Sequence, residues 1–172
     1  MASIFGHGIV GYTLAKVIND KTVRGLTLAS IVSAILPDFD VIGFHFGILY
    51  ESPLGHRGFT HSVVFALLWA LALSFTFGRK HKLLWFGVIF LSTVSHGLLD
   101  AMTSGGRGIG FFIPFNNERF FLPFREIKVS PLGIEIFFSE WGAKVIFSEL
   151  KYIFLPCFLI FVFKVLLKPK KD

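Results

Sequence analysis

A run without a single charge, Val63 to Gly78, begins directly after His56-Arg57-Gly58-Phe59-Thr60-His61-Ser62. Two imidazoles, a guanidinium and two hydroxyls are therefore pressed against a segment suited to hydrocarbon. Ionisable groups in that setting are expensive unless paired or bound, so the fold must bring partners to them. Apolar stretches recur from the N-terminus to Ile18, over Gly25–Leu36, over Leu83–Leu99 and over Tyr152–Leu167. Hydrophobic residues make up 53% of the 172, phenylalanine alone accounts for 23, and only 16% are charged. A water-soluble protein could not cover such a core with so few polar groups. The chain is expected to be all-α: an integral membrane helical bundle, one domain over residues 1–172.

Val63–Phe77 and Leu83–Leu99 are the clearest spanning candidates, joined by the basic turn Arg79-Lys80-His81-Lys82. The two N-terminal segments reach roughly 18 Å at the helical rise, too little for about 30 Å of hydrocarbon. They predict a re-entrant or protein-buried helical hairpin, turning at Asn19-Asp20-Lys21, with Pro37 as its stop. Residues 101–151 are the least apolar and predict an outer-face loop, with a short strand near 109–113 and an amphipathic interfacial helix over 136–150. The single cysteine, Cys157, lies in an apolar run and reads as a small hydrophobe. No basic leader with a cleavage site precedes the first apolar segment, so that segment is expected to stay in the mature protein.

The net charge of +6 reads as topology signal and head-group attraction, and no nucleic-acid pattern interleaves basic with aromatic residues. The positive-inside rule places the Arg79–Lys82 turn and the Lys168–Lys171 tail in the cytoplasm. Following the segments from there brings His7, Asp38, Asp40, His56, His61, His96 and Asp100 to one non-cytoplasmic face. Scattered residues would have fallen on both sides.

His96 and Asp100 are four apart and share a helix face. Taken singly, each group has a plain reading: a hydrogen-bonded pair, an Asx turn at Asp38-Phe39-Asp40, a cap at His7. His45 reads as a belt or loop residue and His81 as solvated. Taken together, four imidazoles and three carboxylates are the ligands of borderline divalent metals. Seven suit two ions, zinc with manganese as the alternative, able to activate water and stabilise a phosphoryl transition state. Asp40 or Asp38 would bridge the ions or act as base. Arg57 could clamp a phosphate, with Arg107, Arg119 and Arg125 as further candidates and Glu118 as an acid nearby.

Gly6-His7, Leu36-Pro37-Asp38-Phe39-Asp40, His56-Arg57-Gly58-x-Thr60-His61-Ser62 and Ser95-His96-x3-Asp100 resemble the membrane-bound metal-dependent hydrolases of bacteria and archaea. That family includes a LexA-regulated inner-membrane protein. Pro114-Phe115, Arg119-Phe120 and Val129-Ser130-Pro131-Leu132-Gly133 look like its central region. The resemblance implies a mostly helical fold, with the seven His and Asp residues as ligands or their supports. It also suggests a distant likeness to zinc-dependent phospholipase C and P1-type nuclease sites. Those sites start with a ligating N-terminal residue and use a ligating Glu, for which the sequence has no clear counterpart. The expected function is hydrolysis of a phosphoester in a lipid or lipid-linked substrate, in the inner or plasma membrane. The competing readings are a metal or proton transporter and a structural membrane protein tied together by a metal.

Overall fold

The computed structural model describes residues 1–19, 23–131 and 134–167, with no side-chain description at 134 and 135. The Asp20-Lys21 turn, Leu132-Gly133 and the Lys168–Lys171 tail lie outside the described residues. The described chain is helical, without strands. It comprises α1 (Ile4–Ile18), α2 (Leu26–Ile35), α3 (Val63–Phe77), α4 (Lys82–Ala101), a single turn α5 (Ile134–Phe137), α6 (Glu140–Glu149) and α7 (Leu155–Leu166).

Local chemistry sets the ends. Ser3 and Ser62 cap α1 and α3 by accepting hydrogen bonds from the Gly6 and Phe65 amides. α1 and α2 form the expected hairpin, and small polar residues let them approach closely. A Cβ on Gly11 would lie 2.7 Å from the Ser30 carbonyl oxygen. The Ser30 hydroxyl bonds the Gly11 carbonyl and the Ser92 hydroxyl, both at 2.6 Å, which ties α1, α2 and α4 together as small and polar residues do in membranes. Ala15, Leu26, Ala70, Trp85, Val88 and Ile89 close the core between them. A second core, Ala2, Ile127, Ile153 and Cys157, packs the C-terminal helices against the chain start.

Three helical stretches are long and apolar enough to cross a membrane: Leu26–Phe46, Arg79–Ala101 and Glu140–Leu166. This redraws the expected spans. Val63–Phe77 is a shorter apolar helix. Pro37 does not stop the second segment, because it occupies the first turn of a 3₁₀ run, Leu36–Phe46, where no amide donor is needed. The expected interfacial helix over 136–150 is instead mostly the first half of one rod, α6 passing through a π turn at Leu150–Phe154 into α7. Its polarity misled because Glu149 points inward, where its carboxylate accepts from the amide and hydroxyl of Ser3. The expected strand near 109–113 is absent. Ile109 pairs with Phe120 in an isolated antiparallel bridge, within a loop that buries Ile109, Ile113 and Ile127 over one end of the bundle. Leu67, Leu68 and Phe75 of α3 and Phe158, Leu159 and Phe163 of α7 stay exposed, as lipid-facing side chains do.

Candidate metal centre

Every element end that the loop covers delivers an ionisable group. α1 brings His7 on its first turn. The 3₁₀ run after α2 brings Asp38 and Asp40. The 3₁₀ turn Phe59–His61 brings His61, and the last turns of α4 bring His96 and Asp100. His7, Asp38, His61, His96 and Asp100 are all buried.

Their inward atoms converge. His61 Nε2 lies 3.0 Å from His96 Nε2. Asp38 Oδ1 is 3.3 Å from His96 Nε2 and 3.7 Å from His61 Nε2. Asp100 Oδ2 is 3.8 Å from His61 Nε2. His7 stacks on His96 with ring centroids 3.8 Å apart, and places Nε2 3.3 Å from Asp100 Oδ1. Asp38, His61, His96 and Asp100 thus form a buried group that could hold a metal ion.

The outer hydrogen bonds decide which ring atoms face inward. His96 Nδ1 lies 2.7 Å from the Ala34 carbonyl, which can only accept, so Nδ1 carries the hydrogen and Nε2 points inward with its lone pair. His61 Nδ1 faces Asp40 Oδ2 at 3.3 Å. Asp40 is itself fixed by the Thr60 hydroxyl at 2.8 Å, the Arg57 amide at 3.1 Å and His56 Nδ1 at 2.6 Å. With both imidazoles neutral, two lone pairs would confront each other across 3.0 Å, and a cation is needed between them. Burial alone would lower the His61 pKa, yet the facing carboxylates of Asp38 and Asp40 outweigh it and push it up to about 9. The pocket therefore draws positive charge.

A proton bridging the two histidines leaves the rest unmatched. Both ring nitrogens of His7, both oxygens of Asp38 and Oδ2 of Asp100 are buried without a hydrogen-bond partner. The spacing suits a metal: donors about 2.0–2.1 Å from a tetrahedral zinc stand about 3.3 Å apart, close to the separations here. The residues present fit a divalent cation. Asp40, His56 and His61 form a second group close enough to hold a metal ion; the 2.6 Å between Asp40 and His56 is also a hydrogen-bond distance.

The arginines are placed differently from the expected phosphate clamp. Arg57 is fully buried in a left-handed conformation, φ 66°, and its Nε lies 3.2 Å from Asp100 Oδ2. Its other nitrogens donate to the Gly105 carbonyl at 3.0 Å and the Thr103 hydroxyl at 3.1 Å. Gly106, φ 83°, leaves room for it, since a Cβ there would sit 2.1 Å from Nη1. Arg57 therefore holds Asp100 in place. Arg119 donates to the carbonyls of His56, Tyr50 and Ser52, and Arg125 to that of Thr103. Arg107 is exposed and pairs with Glu51. Glu118 is exposed beside Asn116, and His45 and His81 are also exposed.

Two participants escaped the sequence reading. The Ala2 amide donates to Asp100 Oδ1 at 2.7 Å, and the Met1 amine lies 3.7 Å from Asp100 Oδ2. Glu149 anchors that same segment through Ser3. Nothing in the stretch Ser148-Glu149-Leu150-Lys151 signals this role for Glu149. A cleft of about 490 Å³ opens beside Asp38, between the start of α1, the 3₁₀ run and Ser130, Pro131 and Phe137.

The chain matches the YdjM inner membrane protein family over residues 1–170, and it belongs to that family. It is similar to the inner membrane protein YbcI of Escherichia coli (strain K12), 40% identical over 169 residues that cover 93% of this chain and 95% of the relative. No solved structure matches the chain.

Proposed function

We propose that this member of the YdjM inner membrane protein family is a metal-dependent hydrolase that cleaves a phosphoester of a lipid or lipid-linked substrate. One observation carries the reading: His61 and His96 turn their Nε2 atoms toward each other at 3.0 Å beside the unpartnered carboxylate of Asp38, at the edge of an open cleft. A divalent cation bound there would supply Lewis acidity, lowering the pKa of a water and neutralising charge on phosphoryl oxygens.

The chain's own residues do the rest. Asp38, His61, His96 and Asp100 hold the cation, with His7 alongside. Asp40 and Thr60 face the outer nitrogen of His61, leaving its other nitrogen to bind, and Arg57 holds Asp100 in place. Asp38 joins the buried group to the lining of the cleft, with both its oxygens turned inward toward the cation's place. The sequence pointed to two zinc ions. Asp40, His56 and His61 lie close enough to hold a second ion, but Asp40 and His56 already share a hydrogen bond, so the reading places one ion in the buried group. The basic residues Lys16, Arg24, Arg79 and Lys82 gather at the opposite end of the helices, which supports a non-cytoplasmic site.

The second reading is a metal that only ties the helices together, and the depth of His96 and Asp100, both 0% exposed, favours it. Zinc-loaded protein assayed on a phospholipid and on a soluble phosphodiester decides between them. Zinc-dependent hydrolysis that His96→Ala abolishes together with the metal supports the enzyme. Zinc content without hydrolysis of either substrate supports the tie. A cysteine placed at Asn117 and labelled by a membrane-impermeant maleimide in intact spheroplasts tests the orientation.

A further inference from the structure

The cleft beside Asp38 is polar at one place and apolar everywhere else. Met1, Asp38, Ser3 and Ser130 are its polar lining, and Ile4, Phe5, Ile35, Phe39, Ile42 and Phe137 are among its apolar walls. Four of those wall residues are half exposed or more: Ile4 at 53%, Phe5 at 63%, Phe39 at 56% and Ile42 at 51%. The 3₁₀ run that supplies Phe39 and Ile42 belongs to a stretch apolar enough to lie in a membrane.

An inserted peptide would carry backbone amides and carbonyls into walls that offer them almost no partners, at several kcal/mol for each unmatched group in hydrocarbon. A hydrocarbon chain carries no such groups. A volume of about 490 Å³ falls within the roughly 300–1,000 Å³ of pockets that bury small ligands. The occupant that matches both ends is an amphiphile, with its polar head at Asp38 and its tail along the phenylalanines.

We infer that this cleft seats one acyl chain of a membrane phospholipid and thereby presents the head-group phosphoester to the Asp38 side of the metal centre. The inference rests on the hydrolase reading for its chemistry, but the binding of the chain is separable from it. Entry is lateral, from the bilayer between Phe5 and Ile42, so the substrate never leaves the membrane to reach the site. The wall residues then set selectivity, favouring substrates with a tail over soluble phosphoesters.

The experiment uses full-length protein in vesicles of phosphatidylethanolamine and phosphatidylglycerol doped with a phospholipid bearing a diazirine on one acyl chain. Crosslinks mapped by mass spectrometry should concentrate on Phe5, Phe39 and Ile42 and fall at least fivefold in Ile42→Trp, which fills the cleft. Leu159→Trp, on the lipid-facing side of α7, should leave the pattern as it is. In parallel, the ratio of phospholipid to soluble phosphodiester hydrolysis should fall about tenfold or more in Ile42→Trp. Phe39→Ala, which widens the cleft, serves as the second variant should Ile42→Trp fail to fold, and should shift crosslinks deeper toward Ile35. Crosslinks spread evenly over the exposed apolar belt would overturn the inference, as would chain-to-chain adducts at Phe5 or equal loss of both activities. If neither substrate is cleaved while crosslinks still map to the cleft, the hydrolase reading fails and the lipid seat stands.

Discussion

Asp40→Asn separates a metal ligand from the support behind it. Asp40 accepts from His56 Nδ1 at 2.6 Å on one oxygen and from the Thr60 hydroxyl at 2.8 Å and the Arg57 amide at 3.1 Å on the other, which also lies 3.3 Å from His61 Nδ1; that nitrogen is 3.1 Å from the same Thr60 hydroxyl oxygen. Asparagine keeps the size but replaces one acceptor oxygen by a donor amide. Whichever way it flips, an NH₂ faces hydrogens, either that of His56 or those of Thr60, Arg57 and His61. The tautomer of His61 is then no longer enforced. Losing such a partner behind a ligand weakens metal affinity by about 10–100-fold, or about 1.4–2.7 kcal/mol at 1.36 kcal/mol per decade. Competition with a chromophoric chelator, run on purified protein at fixed pH, measures it. The expected result is one zinc per chain with affinity lowered in that range, while His96→Ala retains none. An unchanged affinity would refute the supporting role. A stoichiometry falling from two to one would make Asp40 a ligand of a second ion.

Three further outcomes follow from the same geometry. His61 is held up to about 9 by Asp38 and Asp40 against burial, so below that pH the metal must displace its proton. Zinc affinity should therefore rise about tenfold per unit between roughly pH 6.5 and 8.5, read by chelator competition, with a flat profile as the contrary result. Arg57→Met removes the one guanidinium facing the buried Asp100 and leaves it the Met1 amine, the Ala2 amide and His7. It should cost about 3–5 kcal/mol of stability, with zinc raising the variant's Tm more than the wild type's; equal shifts would contradict the pairing. Gly11→Val drives a side chain into the Ser30 carbonyl and should destabilise the α1–α2 hairpin by about 1–3 kcal/mol in thermal unfolding, against an unchanged Tm if the helices stand apart.

Much of the centre was legible because covalent spacing and membrane economics point the same way. His96 and Asp100 are one helical turn apart, and His7, Asp38 and His61 all sit at segment ends away from the Arg79–Lys82 turn. What spacing does not contain is direction. Which nitrogen of His61 faces inward depends on Asp40, and that separates Asp38, a ligand candidate, from Asp40, its neighbour by two. The turn of Arg57 toward Asp100 depends on Gly105 and Gly106 folding back from almost fifty residues on, a contact with no local signature. Glu149 looked like the polar border of an interfacial helix because nothing in its neighbourhood announces Ser3, at the far end of the chain. Pro37 looked like a stop because a proline is tolerated by a 3₁₀ start as readily as it ends an α-helix.

The central claim is that Asp38, His61, His96 and Asp100 together grip a cation. Elemental analysis of the purified full-length protein, beside His96→Ala and Asp100→Asn, tests it most directly. The geometry predicts one equivalent of a divalent transition metal per chain, absent from the His96 variant and reduced in the Asp100 variant. Wild-type protein that folds and carries no stoichiometric metal after zinc loading would contradict it.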